Sequence, residues 1–284
     1  MPTAIRSDPS RVIAFGGRAA RGTPRLVCLP FAGGSSMAFR SLRDMFPGWL
    51  DGCLVELPGR GIRVKEALET NMDRLVHSLV RELVPLLTGS SFALYGHSMG
   101  ALIAYRLAHE LRDEHGLDAS ALLVSGARAP HLSRPPEMLH ELPDCQLISR
   151  LQRMEGTEAA LFRNRELREL MLRIVRADFQ MLETSEPVDI RPLACPIHAF
   201  GGEADAFVNP EDVEGWRFHT DADFRTTFYP GGHFFIRENA GDLVQEMMTD
   251  LKRCFASGRR VIPGARSKAG NMQDAGPGRG KIHE

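Results

Sequence analysis

The stretch Phe92-Ala93-Leu94-Tyr95-Gly96-His97-Ser98-Met99-Gly100-Ala101-Leu102-Ile103-Ala104-Tyr105 reads as a short apolar strand, a glycine-flanked serine and the start of an amphipathic helix. Gly96 and Gly100 bracket Ser98 as Gly-x-Ser-x-Gly, the pattern of a nucleophile elbow. A serine held in a strained strand-to-helix turn needs glycine on both flanks, because a Cβ there would collide with the neighbouring strand or helix. The strain lifts the hydroxyl clear of the sheet to meet a histidine base, and a helix starting at Met99 points its amides at the same spot. The pentapeptide alone would recur by chance as an incidental glycine-rich turn; the strand before it and the helix after it make the pattern specific.

Working outward, the same alternation repeats. Leu26-Val27-Cys28-Leu29 is a short apolar run ended by Pro30 and the pair Gly33-Gly34, as expected of a buried parallel strand feeding a loop. Residues 53–57 form another such run, closed by Pro58-Gly59-Arg60-Gly61, and apolar residues at 72, 75, 76, 79, 80, 83 and 86 or 87 mark one face of a helix. The elbow helix ends near Gly116, and residues 121–125 make a further strand. This predicts an α/β domain with a mostly parallel sheet covered by helices on both faces.

From Pro130 to about Pro192 strand signals stop. Two prolines, Pro135 and Pro136, lead into Leu147, Ile148, Leu151 and Met154, and then into a long helix from Glu166 to Leu182 with an apolar stripe at 167, 170, 171, 174, 175, 179 and 182. A helical insertion of about sixty residues at the carboxyl end of such a sheet is expected to be a lid over the site; the alternative is that it only completes the core. The sheet resumes at 196–200 and 225–229, and a helix from about Asn239 to Phe255 closes the domain. The expected plan is an N-terminal extension, 1–24, with an edge strand at Val12-Ile13-Ala14-Phe15, a domain over 25–256 carrying the lid at about 130–192, and a disordered basic tail over 257–284.

Bulk composition narrows the class without naming a partner. A net charge of −1 with 25% charged and 43% hydrophobic residues speaks against nucleic-acid binding and against a disordered or membrane chain. The N-terminus lacks an apolar signal core, and no run approaches the length of a membrane span, so a cytoplasmic protein with no membrane partner is expected. Cys28, Cys53, Cys145, Cys195 and Cys254 are odd in number and widely spaced, which predicts buried thiols in a reducing compartment.

A serine nucleophile needs a histidine and a carboxylate, and the order found here, serine then acid then histidine at the ends of later strands, resembles that of α/β-hydrolases. Strand 196–200 runs into Gly201-Gly202-Glu203-Ala204-Asp205, and strand 225–229 into Pro230-Gly231-Gly232-His233. Asp205 is the expected acid, with Glu203, Asp189 and Asp212 as rivals, and His233 the expected base; His97 is expected to point elsewhere. The oxyanion hole is expected to combine the Met99 amide with one from the loop after strand 26–29, Ala32 first and Phe31 as rival. No metal site is expected: His109 and His115 superficially imitate a zinc motif but lie six residues apart, on different helix faces. No glycine-rich phosphate or dinucleotide loop appears, so no cofactor is expected.

Six motifs in order carry a family resemblance. Leu29-Pro30-Phe31-Ala32-Gly33-Gly34-Ser35, Leu57-Pro58-Gly59-Arg60, Gly96-His97-Ser98-Met99-Gly100, Ser125-Gly126-Ala127-Arg128-Ala129-Pro130, Gly202 through Asp205, and Gly231-Gly232-His233-Phe234-Phe235 together resemble the type II thioesterases. Those are free-standing editing enzymes that work beside polyketide synthases and nonribosomal peptide synthetases. The resemblance spans roughly residues 25–252 and implies an α/β-hydrolase fold. It also implies hydrolysis of small acyl groups from the phosphopantetheine thiol of acyl or peptidyl carrier proteins, with Ser98, Asp205 and His233 as triad. A monomer is the expected state. Arginines at 150, 153, 163, 165, 168, 173 and 176 offer a docking face for an acidic carrier, against the plainer reading of a solvated helix face. Rival functions are a small-molecule carboxylesterase or lipase acting on oxyesters and a non-catalytic binding scaffold.

Overall fold

The computed structural model describes residues 12–15, 22–133, 137–154, 164–186 and 188–256. Seven strands form one sheet: β1 (Val12–Phe15), β2 (Arg25–Leu29), β3 (Asp51–Val55), β4 (Phe92–His97), β5 (Leu122–Ser125), β6 (Ile197–Gly202) and β7 (Phe224–Tyr229). Their spatial order is β1-β3-β2-β4-β5-β6-β7, with β1 antiparallel to β3 and every other pair of neighbours parallel. The helices are α1 (Arg40–Arg43), α2 (Met72–Leu87), α3 (Met99–His115), α4 (Asp144–Arg153), α5 (Arg165–Glu183), α6 (Pro210–Glu214), α7 (Phe235–Glu238) and α8 (Ala240–Ala256). Within this α/β-hydrolase fold, β3 and β4 leave β2 on opposite sides. The crevice between the carboxyl ends of β2 and β4 is therefore a topological switch point, the usual location of a ligand site in such sheets.

Side-chain alternation along the strands divides the interior. Val27 and Leu29 of β2 pack with Leu75, Leu79 and Leu83 of α2 and Ile103 and Leu107 of α3. Their neighbours Leu26 and Cys28 face the other way, onto Leu243, Met247 and Leu251 of α8. Burial of each such leucine contributes about 1.5–3 kcal/mol, so both covering layers are held on mainly by apolar area. A smaller third cluster joins Leu147 and Leu151 of α4 to Leu172, Val175 and Phe179 of α5.

The expected helices at 72–87, 99–116, 166–182 and 239–255 are present within a residue or two, and α5 starts on an Asn164 cap that accepts from Leu167 N–H at 3.1 Å. Val12–Phe15 is an edge strand, antiparallel to β3. The proposed tail at 257–284 lies outside the described residues. One expectation needs correction: the cysteines are all free, but only Cys28, Cys53 and Cys195 are buried, whereas Cys254 is half-buried and Cys145 exposed. Cys145 falls off the α4 stripe, since Leu147 and Leu151 take the inward positions. Among the described residues no helix is long and apolar enough to cross a membrane.

Candidate active site

Ser98 has φ 54° and ψ −117°, and it is the only non-glycine with positive φ among the described residues. Such a backbone costs about 1–3 kcal/mol and persists only where its surroundings impose it. They do so here through backbone contact. A Cβ on Gly96 would lie 2.1 Å from the Gly100 carbonyl oxygen, and one on Gly100 would lie 2.0 Å from that of Leu29. Ser98 N–H donates to the Ser125 carbonyl at 2.8 Å, which ties the elbow to β5.

The hydroxyl so presented meets two loops from later strands. Ser98 Oγ lies 3.0 Å from His233 Nε2, and His233 Nδ1 lies 2.7 Å from Asp205 Oδ2. Because a carboxylate only accepts, Nδ1 carries the proton and Nε2 is left to accept from the serine hydroxyl, the tautomer a general base requires. Asp205 Oδ1 accepts from the amides of Phe207 (2.8 Å) and Val208 (3.2 Å), so both carboxylate oxygens are committed and the side chain is only 1% exposed. The two loops touch through glycine: a Cβ on Gly202 would lie 2.4 Å from the Gly232 carbonyl oxygen. Of the rival acids, Glu203 and Asp189 are exposed, and Asp212 accepts from Asn209 N–H while pairing with Arg128.

His97, expected to point elsewhere, makes no hydrogen bond to Ser98, yet it belongs to the site. Its ring lies 5.3 Å from that of His233 and 5.8 Å from that of Phe31, and its Nδ1 is 2.8 Å from Ser125 Oγ. Burial first, then the neighbouring His233 and Arg237, hold its pKa well below the ordinary histidine value, so it is a neutral wall behind the His233 ring. Sequence reasoning missed this role because its signal, a histidine before the nucleophile, does not specify a direction.

Phe31, Ala32, Ser98, Met99 and His233 open together on a cavity of about 500 Å³. The amides of Ala32 and Met99 have no protein acceptor among the described residues, as a pair of oxyanion donors would require. The cavity wall is largely apolar, with Leu102 from the elbow helix, Leu151 from α4, and Met171, Val175, Phe179 and Leu182 from α5, while Arg128, Glu137 and Glu183 also reach it. Side chains of α4 and α5 thus line the same cavity as Ser98. Three of their arginines have carboxylate partners within the chain, Arg150 with Glu137, Arg165 with Glu169 and Arg176 with Asp144, and Arg176 also donates to the His140 carbonyl. Arg150 and Arg153 border the cavity, and Arg163 lies outside the described residues.

The family profile for the thioesterase domain matches residues 24–251. The gramicidin S biosynthesis protein GrsT of Aneurinibacillus migulanus is 36% identical over 232 residues, 82% of this chain and 90% of its own. Among solved structures, ClbQ from the colibactin NRPS/PKS pathway has a TM-score of 0.78 at 30% identity, covering 84% of this chain and 100% of its own. The type II thioesterase BorB from the borrelidin biosynthetic cluster has a TM-score of 0.75 at 30% identity, covering 87% of this chain and 98% of its own.

Proposed function

This chain belongs to the thioesterase family, as a type II thioesterase, and from that premise we propose that it hydrolyses acyl groups from the phosphopantetheine thiol of acyl or peptidyl carrier proteins, in the cytoplasm beside a nonribosomal peptide or polyketide synthase. In this reading Ser98 is the nucleophile, His233 its base, and Asp205 the anion that orients the imidazole. As Ser98 Oγ attacks the thioester carbonyl, its proton passes to His233 Nε2 and the oxyanion is received by the amides of Met99 and Ala32. Collapse breaks the C–S bond, and His233 returns the proton to the departing thiolate. Water then attacks the acyl-serine, giving its proton to His233, and the acid leaves as Ser98 regains its own.

The observation that carries the proposal is the hydrogen-bonded line Ser98–His233–Asp205 opening on an apolar cavity. Such a cavity favours unfunctionalised acyl chains, and α4 and α5 serve as the lid under which they lie. Docking energy from the carrier can be used to hold the arm in attack geometry, so efficiency should be higher on carrier-bound than on coenzyme A thioesters of the same acyl group. A side-by-side assay of kcat/KM on both substrates tests this, with intact-protein mass spectrometry for an acyl adduct on Ser98. Equal efficiencies would remove the carrier from the proposal; an adduct elsewhere would remove Ser98.

A further inference from the structure

The motif Leu57-Pro58-Gly59-Arg60 and the long helix α5 meet at the loop that carries the Ala32 amide. Asp178 of α5 is fully buried and Arg60 is 4% exposed. Their pairing is a two-pronged fork: Arg60 Nη1 donates to Asp178 Oδ2 and Nη2 to Oδ1, both at 2.6 Å. Neither residue is spent on the other alone. Asp178 Oδ2 also accepts the Gly33 backbone N–H at 2.7 Å, and Arg60 Nη1 donates to the Gly34 carbonyl at 3.1 Å. The loop itself is a tight turn, closed by Gly34 N–H to the Phe31 carbonyl at 2.8 Å, with Gly33 at φ +79°. That is the pattern of a type II turn, and Asp178 holds its central peptide, Ala32 to Gly33, by the Gly33 N–H. A Cβ on Gly33 would lie 2.7 Å from Val175 Cγ2, so α5 packs directly on this turn. On the far side Glu56, also buried, accepts from Ser36 N–H at 3.1 Å and Ser36 Oγ at 2.9 Å.

We propose that Arg60 and Asp178 are positioning residues for the oxyanion hole, and that the hole is complete only while α5 is seated on the turn. The inference rests on the assignment of the Ala32 amide and Ser98 made above. Charge-assisted bonds to a buried carboxylate are among the strongest available to a backbone amide, and they pin the peptide next to the one that must face the oxyanion. Val175 and Phe179 of the same helix line the acyl cavity, while Asp178 between them holds the turn. An acyl chain that packs under α5 therefore stabilises the same helix position that assembles the oxyanion donors, and chain recognition is linked to catalytic competence.

The test uses Asp178→Asn, Asp178→Ala and Arg60→Lys in the full chain, with two inhibitors. An alkyl trifluoromethyl ketone accepts Ser98 Oγ at its carbonyl carbon, the serine proton going to His233, and places an alkoxide in the hole; a thioether analogue of the acyl-pantetheine substrate cannot be attacked. Loss of one oxyanion donor lowers kcat by roughly 10²–10³-fold in other serine hydrolases. Asp178→Ala is expected to fall on the order of 10²-fold in kcat and in ketone affinity together, with thioether affinity and KM within about twofold of native. Asp178→Asn, which keeps an acceptor for Gly33 but loses the charge, should fall between. If Asp178→Ala does not fold, Asp178→Asn and Arg60→Lys decide. Native kcat and ketone affinity in those two variants would overturn the inference, as would equal loss of ketone and thioether binding. Failure of the native enzyme to acylate Ser98 would instead overturn the assignment beneath it.

Discussion

At the residue scale, each side chain in the Ser98 line is fixed by a different constraint. The serine is held by backbone strain, the histidine by a carboxylate and a neutral histidine wall, and Asp205 by two loop amides. Ser98→Ala is expected to abolish the acyl-enzyme, read as the missing mass adduct after a thioester pulse. Asp205→Asn should leave the adduct possible but lower kcat by about 10⁴-fold, since the amide would favour the wrong imidazole tautomer. A mild effect would shift the acid to another carboxylate, although Asp212 is engaged in a helix cap and Glu203 faces solvent. Gly100→Ala should be more damaging than its one methyl suggests, because the new Cβ would meet a backbone oxygen 2.0 Å away that cannot rotate aside. Thermal unfolding should show a lowered midpoint and the thioester hydrolysis assay a parallel loss of turnover.

At the scale of elements, α5 does three things with one stripe: it packs on α4, walls the cavity and holds the turn at Gly33. The stripe was readable as helix and as apolar face, yet Asp178 sits within it, three residues after Val175 and four before Leu182. A charge at such a position signals a buried partner, but the partner, Arg60, is 118 residues away and no local pattern names it. Met171 lines the cavity without being fully buried, so Met171→Trp should fill space with little cost to the core. The expected result is a loss of at least about tenfold in kcat/KM for octanoyl over propionyl thioesters, since discrimination by methylenes in an apolar pocket amounts to about 1–3 kcal/mol each. Unchanged chain-length preference would mean that the acyl group lies elsewhere.

At the scale of the whole molecule, buried histidines set the response to acid. Burial first, and then Arg112, lowers His109 to about 4; burial first, and then His131, lowers His219 to about 4. With His97 also depressed, the unfolded chain binds protons that the folded one refuses, so stability is full above the ordinary histidine value and falls as pH drops from about 6.5 toward 4. Each histidine contributes a slope approaching ~1.4 kcal/mol per pH unit in that window. Urea midpoints between pH 7 and 4.5 should decline, and His109→Gln with His219→Gln should flatten the decline; an unchanged slope would place the proton uptake on other groups. What the sequence determined by itself was local: the strand and helix periods, the glycines around Ser98, and the placing of Asp205 and His233 just after strand ends. Each of these depends on neighbours a few residues away, where side-chain spacing and backbone sterics are legible directly. The strand order, which acidic loop residue meets His233, the turning of His97 onto His233, the size of the cavity and the Arg60–Asp178 fork depended on chain segments tens of residues apart. Only tertiary packing could decide them, because the partners of a buried charge or ring are selected by desolvation and shape once the layers close, and neither has a period along the chain.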